Sequence, residues 1–289
     1  MASSSTRREI DNDVSQSWSD WMGVHPDRRT PAAPESGGAQ RTPDFLPEEA
    51  TALYREVFDA LQVPRRLSGP RRMRRGPFEI ASEVFPAQFF SGDFVTVFDS
   101  REATFLALGD IAGKGLTAAM WSTHILGLIR TYSSSLHEPG AILGAMNHDL
   151  YMLGSVPLTT VFLARLEWQK GELSYSNAGH CAPIVYRVNG NVEQLATGGP
   201  VLGAVHDADF QTEVIDFSVG TTLVSYSDGV IECRNQLDQE FGVERLVNEI
   251  CNTAMLGANK ALFSIVGAVQ DFAGGTPRFD DLSLMVVGK

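Results

Sequence analysis

The sequence predicts an α+β fold in which antiparallel sheets are covered by helices. Three observations carry this. Short apolar runs of strand length recur from Phe78 onward. They come in blocks (strands, two helices, many strands, two helices, one strand) rather than one strand to one helix, which speaks against a regular βαβ alternation. Lys170-Gly171 and Asn189-Gly190 fall between such runs as hairpin turns.

Residues 1–45 are rich in Ser, Pro, Gly and charge with little periodicity, and read as a disordered tail. Trp18 and Trp21 within it are either stray aromatics or a short docking motif. Residues 46–77 read as a regulatory helix followed by a linker. Pro47 suits a first helical turn, with Glu48 and Glu49 beside it, and Ala50, Leu53, Val57 and Leu61 form one apolar stripe. Such a helix docks on the domain, binds a regulatory protein or pairs with a second copy. From Pro64 to Arg75 the chain holds six arginines and no acid, broken by two prolines and a glycine. This reads as a solvated linker, or as a contact for an acidic partner.

The domain proper is expected over 78–289. Strands are predicted over 78–84, 94–98 and 104–108. A helix over 116–131 is apolar on most faces and therefore expected to be buried. A second follows over 141–153, with Pro139 near its start. Further strands are predicted over 159–167, 172–176, 183–187, 191–195, 210–217 and 222–226, helices over 243–251 and 260–272, and a last strand over 282–287.

Composition narrows the function. Net charge is −12, and residues 76–289 hold 11 Lys and Arg against 24 Asp and Glu. An acidic domain lacks the basic footprint that nucleic acid requires and is compatible with cations. Cys181, Cys233 and Cys251 are far apart, with no Cys/His cluster for zinc. Their odd number and the lack of a signal-peptide pattern point to the cytoplasm. No apolar run approaches the roughly 20 residues of a membrane span.

Four acidic anchors stand at predicted strand ends: Ser91-Gly92-Asp93, Gly109-Asp110, Ser227-Asp228-Gly229 and Asp280-Asp281. Three sit beside glycine, read as a turn residue. Mg²⁺ and Mn²⁺ take oxygen ligands and keep several waters, so a few such carboxylates suffice for two ions. Two ions about 3.5–4 Å apart activate a water for in-line displacement at phosphorus. Gly109 to Gly115 is no Walker A loop, since three residues rather than four precede Gly113-Lys114 and Gly follows the lysine.

The order Phe89-Phe90-Ser91-Gly92-Asp93, Gly109-Asp110-Ile111-Ala112-Gly113-Lys114-Gly115, Asn177-Ala178-Gly179-His180, Ser227-Asp228-Gly229 and Asp280-Asp281 resembles the PPM-type (protein phosphatase 2C-like) phosphatases, in their bacterial SpoIIE-like branch. The resemblance runs from about Phe78 to the C-terminus. It implies a four-layer α-β-β-α sandwich, two antiparallel sheets between pairs of helices. It also implies hydrolysis of phosphoserine or phosphothreonine on a signalling protein of the anti-sigma-factor-antagonist type, with two Mn²⁺ or Mg²⁺ ions. By motif, Asp93, Asp110, Asp228 and Asp280 match the metal-binding, catalytic aspartates, and the Ile111 carbonyl matches a further ligand. Asp281 is expected to point away by strand alternation, and His180 to pack structurally. Ser91 replaces a glycine of the pattern, Thr96 stands where the branch often has another Asp, and no histidine follows Asp110. The alternative is a degenerate binding module that sequesters a phosphoprotein without turnover.

Overall fold

The computed structural model describes residues 56, 57, 59, 62–88, 90–100 and 103–289. The tail expected over 1–45, with its two tryptophans, and most of the helix expected over 47–62 lie outside the described residues. In chain order the elements are β1 (Arg72–Arg75), β2 (Phe78–Phe85), β3 (Phe94–Ser100), β4 (Ala103–Ile111), α1 (Leu116–Tyr132), α2 (Pro139–Leu153), β5 (Thr159–Glu167), β6 (Glu172–Ala178), β7 (Ile184–Arg187), β8 (Val192–Gln194) and β9 (Gly198–Gly199). Then come β10 (Glu213–Asp216), β11 (Thr221–Tyr226), the single turn α3 (Asp228–Ile231), α4 (Gly242–Thr253), a 3₁₀ turn (Ala254–Leu256), α5 (Ala258–Ala273) and β12 (Leu282–Gly288).

The strands form two sheets. The first runs β1-β2-β12-β11-β7-β8; the second runs β10-β6-β5-β4-β3, with β9 alongside β6. Every pairing is antiparallel except the two-residue β6–β9 contact. The sheets pack face to face, and period-two alternation sorts their side chains. Leu106 and Leu108 of β4 enter the inter-sheet core with Phe162, Tyr175, Phe78, Leu223 and Met285. Phe105 and Ala107 of the same strand point outward to Ile125 and Ile129 of α1 and Ile142 and Met146 of α2. Helix α5 covers β2 and β12 on the far side of the other sheet. The result is an α-β-β-α sandwich.

Helix α1 departs from its expected full burial. Ala118, Ala119, Ser122, Ile125, Leu126 and Ile129 are buried, while Leu116 and Met120 are exposed. The helix lies on one sheet, so only its inner stripe can be covered.

The arginine-rich stretch is not a free linker. Residues 62–67 are helical, and β1 pairs through its backbone with β2, Arg72 opposite Ala81. Its arginines are used locally: Arg71 meets Glu83 at 2.7 Å, and Arg75 Nε donates to Asp99 on β3 at 2.8 Å, joining the two sheets. At the β3 edge, Val97 N donates to the Ser68 carbonyl, and the Leu67 carbonyl accepts from Thr96 Oγ1 (3.0 Å) and Arg130 Nη2 (2.6 Å). Thr96 therefore serves this edge.

Two glycines of α2 make a matched pair. A Cβ on Gly140 would lie 2.1 Å from the Phe210 carbonyl oxygen, whereas one on Gly144 meets nothing within 4 Å. Gly144→Ala should stabilise the protein by up to about 1 kcal/mol through helix propensity. Gly140→Ala should destabilise it by about 1–3 kcal/mol despite the same propensity gain. Urea midpoints of the two variants check this opposition in sign.

Candidate metal centre

All four anchors sit at strand ends, as the sequence leads one to expect. Asp93 immediately precedes β3 and Asp110 is the penultimate residue of β4, whose Gly109 pairs with Phe94. Asp228 opens α3 just after β11, and Asp280 lies two residues before β12, with Tyr226 opposite Leu284. Mutual charge effects tie the four together: Asp110 acts on Asp93, Asp228 and Asp280 act on Asp110, and Asp280 acts on Asp228.

The flanking glycines serve a purpose other than the expected turn. Gly92, Gly109 and Gly229 are not in the left-handed region. They are needed because other groups come too close for a side chain. A Cβ on Gly229 would fall 1.9 Å from the Asp281 carbonyl oxygen. That contact lets the start of α3 lie against the start of β12, placing Asp228 beside Asp280. A Cβ on Gly92 would sit 3.0 Å from the Ile111 carbonyl, 3.1 Å from Asp110 Oδ1 and 3.3 Å from the Gly113 carbonyl. Three oxygens thus border one small space.

The electrostatics are those of negative charge held together against its preference. Burial, with the Asp110 charge added, holds the Asp93 carboxyl well above the usual range, although the Ser283 and Ser227 hydroxyls ease the shift. Asp93 Oδ2 is buried with no hydrogen bond. Burial and then Asp228 and Asp280 push Asp110 up to about 6. Burial and then Asp280 raise Asp228, which Lys114 partly offsets. Desolvation and like charge both penalise an ionised carboxylate.

Asp281 does not point away as strand alternation leads one to expect: it lines the same cleft, its charge adds to that on Asp93 and Asp110, and its carboxylate organises the loop that carries Asp93. Its Oδ1 accepts from Ala87 N (2.7 Å), and its Oδ2 from Gly92 N (2.9 Å) and Ser91 Oγ (2.7 Å). The serine in place of a glycine thus supplies one of the three bonds. His180 is buried and burial pushes its pKa down to about 4, so the ring is neutral at pH 7. Its Nδ1 lies 2.9 Å from Thr160 Oγ1, and Asn177 bonds both its backbone N and O. The Asn-Ala-Gly-His segment is thereby a braced turn at the end of β6, against β5. Lys114, quoted in the sequence within a false P-loop and a family motif but given no role there, stands beside Asp280 in this cleft. Its signal is a lone base amid acidic motifs.

A hard divalent ion suits these donors. All are oxygens, one buried carboxylate oxygen is orphaned, and the cluster raises its own protonation. Among the described residues, no three Asp, Glu, His or Cys side chains form a group able to hold an ion by themselves. A Mg²⁺ or Mn²⁺ ion held here would have to complete its shell with water and carbonyl oxygen.

The family described as Stage II sporulation protein E (SpoIIE) matches residues 100–289. The chain is 26% identical to the phosphoserine phosphatase RsbU of Bacillus subtilis over 237 residues, 80% of this chain and 69% of RsbU. It is 26% identical to protein IcfG of Synechocystis over 244 residues, 73% of this chain, and spans 38% of that longer protein. Among solved structures, the SiaA-PP2C domain of Pseudomonas aeruginosa superposes with a TM-score of 0.70 at 15% identity, covering 83% of this chain and 98% of that one. RsbX in complex with magnesium gives 0.57 at 15% identity, covering 75% and 97%. These likenesses to solved structures agree with the sandwich described above, and the family match covers most of the domain that carries the four aspartates: the chain belongs to the SpoIIE family, on the PP2C-type phosphatase fold.

Proposed function

We propose that the chain is a protein phosphatase that hydrolyses phosphoserine or phosphothreonine on a signalling protein of the anti-sigma-factor-antagonist type, using two Mn²⁺ or Mg²⁺ ions. The observation that carries this is the gathering of Asp93, Asp110, Asp228 and Asp280 at one end of the sandwich, each of the first three with its protonation raised there. The phosphoserine phosphatase activity named for RsbU supports the substrate class. The magnesium named for RsbX supports the ions.

Asp93, Asp110, Asp228 and Asp280, with the Ile111 carbonyl, would hold the ions. When bound, the ions stabilise charge on the phosphoryl oxygens and lower the pKa of a water. The protein's part is to fix those oxygens in place. Asp281 and Ser91 hold the Asp93 loop, Gly229 admits α3 against β12, and Thr160 Oγ1 lies 3.5 Å from the Asp110 carbonyl. Neither Cys181 nor His180 is placed to attack phosphorus itself. Burial, with Asp228, Glu232 and Asp93 added, pushes the Cys181 thiol up to about 11, and His180 is buried with Nδ1 against Thr160 Oγ1. Water is the nucleophile on this reading.

One observation favours the rival reading of a phosphoprotein-binding module without turnover. Lys114 Nζ stands 3.5 Å from Asp280 Oδ2, where it competes with a metal for that carboxylate. Phosphate release from a phosphoserine peptide and from p-nitrophenyl phosphate, with Mn²⁺ and with EDTA, separates the readings. Release that requires Mn²⁺ is expected; tight phosphopeptide binding without release would establish the module instead.

Asp228→Asn should lower Mn²⁺-dependent turnover by more than about 100-fold, beyond the roughly 10–100-fold typical of outer-shell partners. The metal-free melting temperature should hold or rise, because one repelling charge is gone. Asp281→Ala should weaken Mn²⁺ binding and activity together by about 10–100-fold, since the Asp93 loop loses three bonds. Manganese titration by electron paramagnetic resonance checks this independently of turnover.

The cluster also predicts a pH dependence. Asp110 ordinarily titrates near 3.8 and here near 6. Its folded pKa is raised, so its contribution to stability is complete below about 3.8 and lost as pH rises through 6. With EDTA, the Asp110 contribution should make the protein melt higher at pH 5 than at pH 7.5. Saturating Mn²⁺ should raise the melting temperature more at pH 7.5 than at pH 5, and scanning calorimetry at both values measures the difference.

A further inference from the structure

The cleft at the acidic end is lined by Gln88, Phe90, Asp110, Lys114, Phe279 and Asp280, among others, and among the described residues Lys114 is its one basic lining residue. A phosphate approaching these carboxylates meets like charge unless cations intervene. The neighbouring Arg278 is committed elsewhere, its guanidinium donating to the Phe85 (3.1 Å) and Pro86 (3.3 Å) carbonyls. Lys114 is held loosely. Its Nζ donates to the Phe279 carbonyl at 2.9 Å and stands 3.5 Å from Asp280 Oδ2, with both side chains more than half exposed. An exposed pair of this kind contributes little and is readily given up. Gly113 and Gly115 flank the lysine at φ 126° and 79°, and a Cβ on either would meet nothing within 4 Å. The arm therefore pivots on two permissive residues with open space around them. An ammonium on a flexible stem, with three donors, suits phosphate oxygens as a point charge.

We propose that Lys114 is the phosphate-binding residue of this site: it rests on Asp280 and the Phe279 carbonyl in the free protein, and moves onto the phosphoryl oxygens of an incoming phosphoserine or phosphothreonine. Its release frees Asp280 for metal in the same motion. This rests on the phosphatase reading above, and the test keeps the two apart.

Inorganic phosphate is titrated calorimetrically into the full-length protein at saturating Mg²⁺, for wild type, Lys114→Gln and Lys114→Arg. Mg²⁺ affinity is measured separately, as are KM and kcat on a phosphoserine peptide. Lys114→Gln should weaken phosphate binding about tenfold, the scale of one charged hydrogen bond. It should raise KM by a similar factor and bind Mg²⁺ no more weakly than wild type. Lys114→Arg should restore most of the phosphate affinity. Unchanged phosphate affinity in Lys114→Gln overturns the proposal, as does absence of phosphate binding by wild type. A loss of phosphate affinity that tracks lost Mg²⁺ affinity also overturns it, because the lysine then only shapes the loop. Lys114-dependent phosphate binding without peptide hydrolysis would leave this assignment standing and remove the phosphatase reading.

Discussion

The site depends on a conflict between packing and charge. Burying Phe78, Leu106, Phe162 and Met285 between two sheets aligns the ends of four strands, and those ends carry carboxylates. Apolar burial at roughly 25 cal/mol per Å² over many residues outweighs the repulsion among four acids, of which Asp93 is buried. The fold can therefore hold negative charge in one place at a modest cost to stability. A carboxyl group pushed to about 6, as at Asp110, is the signature of that cost.

Around that conflict the structure divides labour between two adjacent acids. Asp280 faces the cluster and Lys114; Asp281 faces the Asp93 loop and accepts three hydrogen bonds from it. Both line the same cleft, so one dipeptide just ahead of β12 both presents an acid and anchors the loop beside it. The backbone of the same pair does a third job, since the Asp281 carbonyl is the oxygen against which Gly229 packs.

Much of this was legible in the sequence because it depends on local pattern. The block order of strands and helices gave the layered class, and the strand over 159–167 appears with its predicted bounds. The positions of three of the four aspartates at strand ends were readable from the glycines beside them. The reason for those glycines was not, because closeness to the Asp281 or Ile111 carbonyl is a tertiary fact that leaves no trace in a dipeptide. Strand β1 was hidden for a different reason. Arg72–Arg75 pairs through its backbone and shows no apolar alternation, so its composition reads as a linker. Arginines on an edge strand also discourage pairing with another sheet. The exposed Leu116 and Met120 misled in the opposite sense, since apolar residues imply burial only on average.

The thiols bear on a different question, the response to oxidants. Cys181 lies near enough to Asp228 and Asp93 to feel their charge, and burial with those charges keeps it protonated; burial raises Cys233 as well. Peroxide attacks thiolates, and a protonated, partly covered sulfur is a poor target. A phosphatase that draws its nucleophile from water has no essential thiolate to lose. On the proposed chemistry, this chain would keep signalling through an oxidative burst that silences phosphatases built on a reactive cysteine.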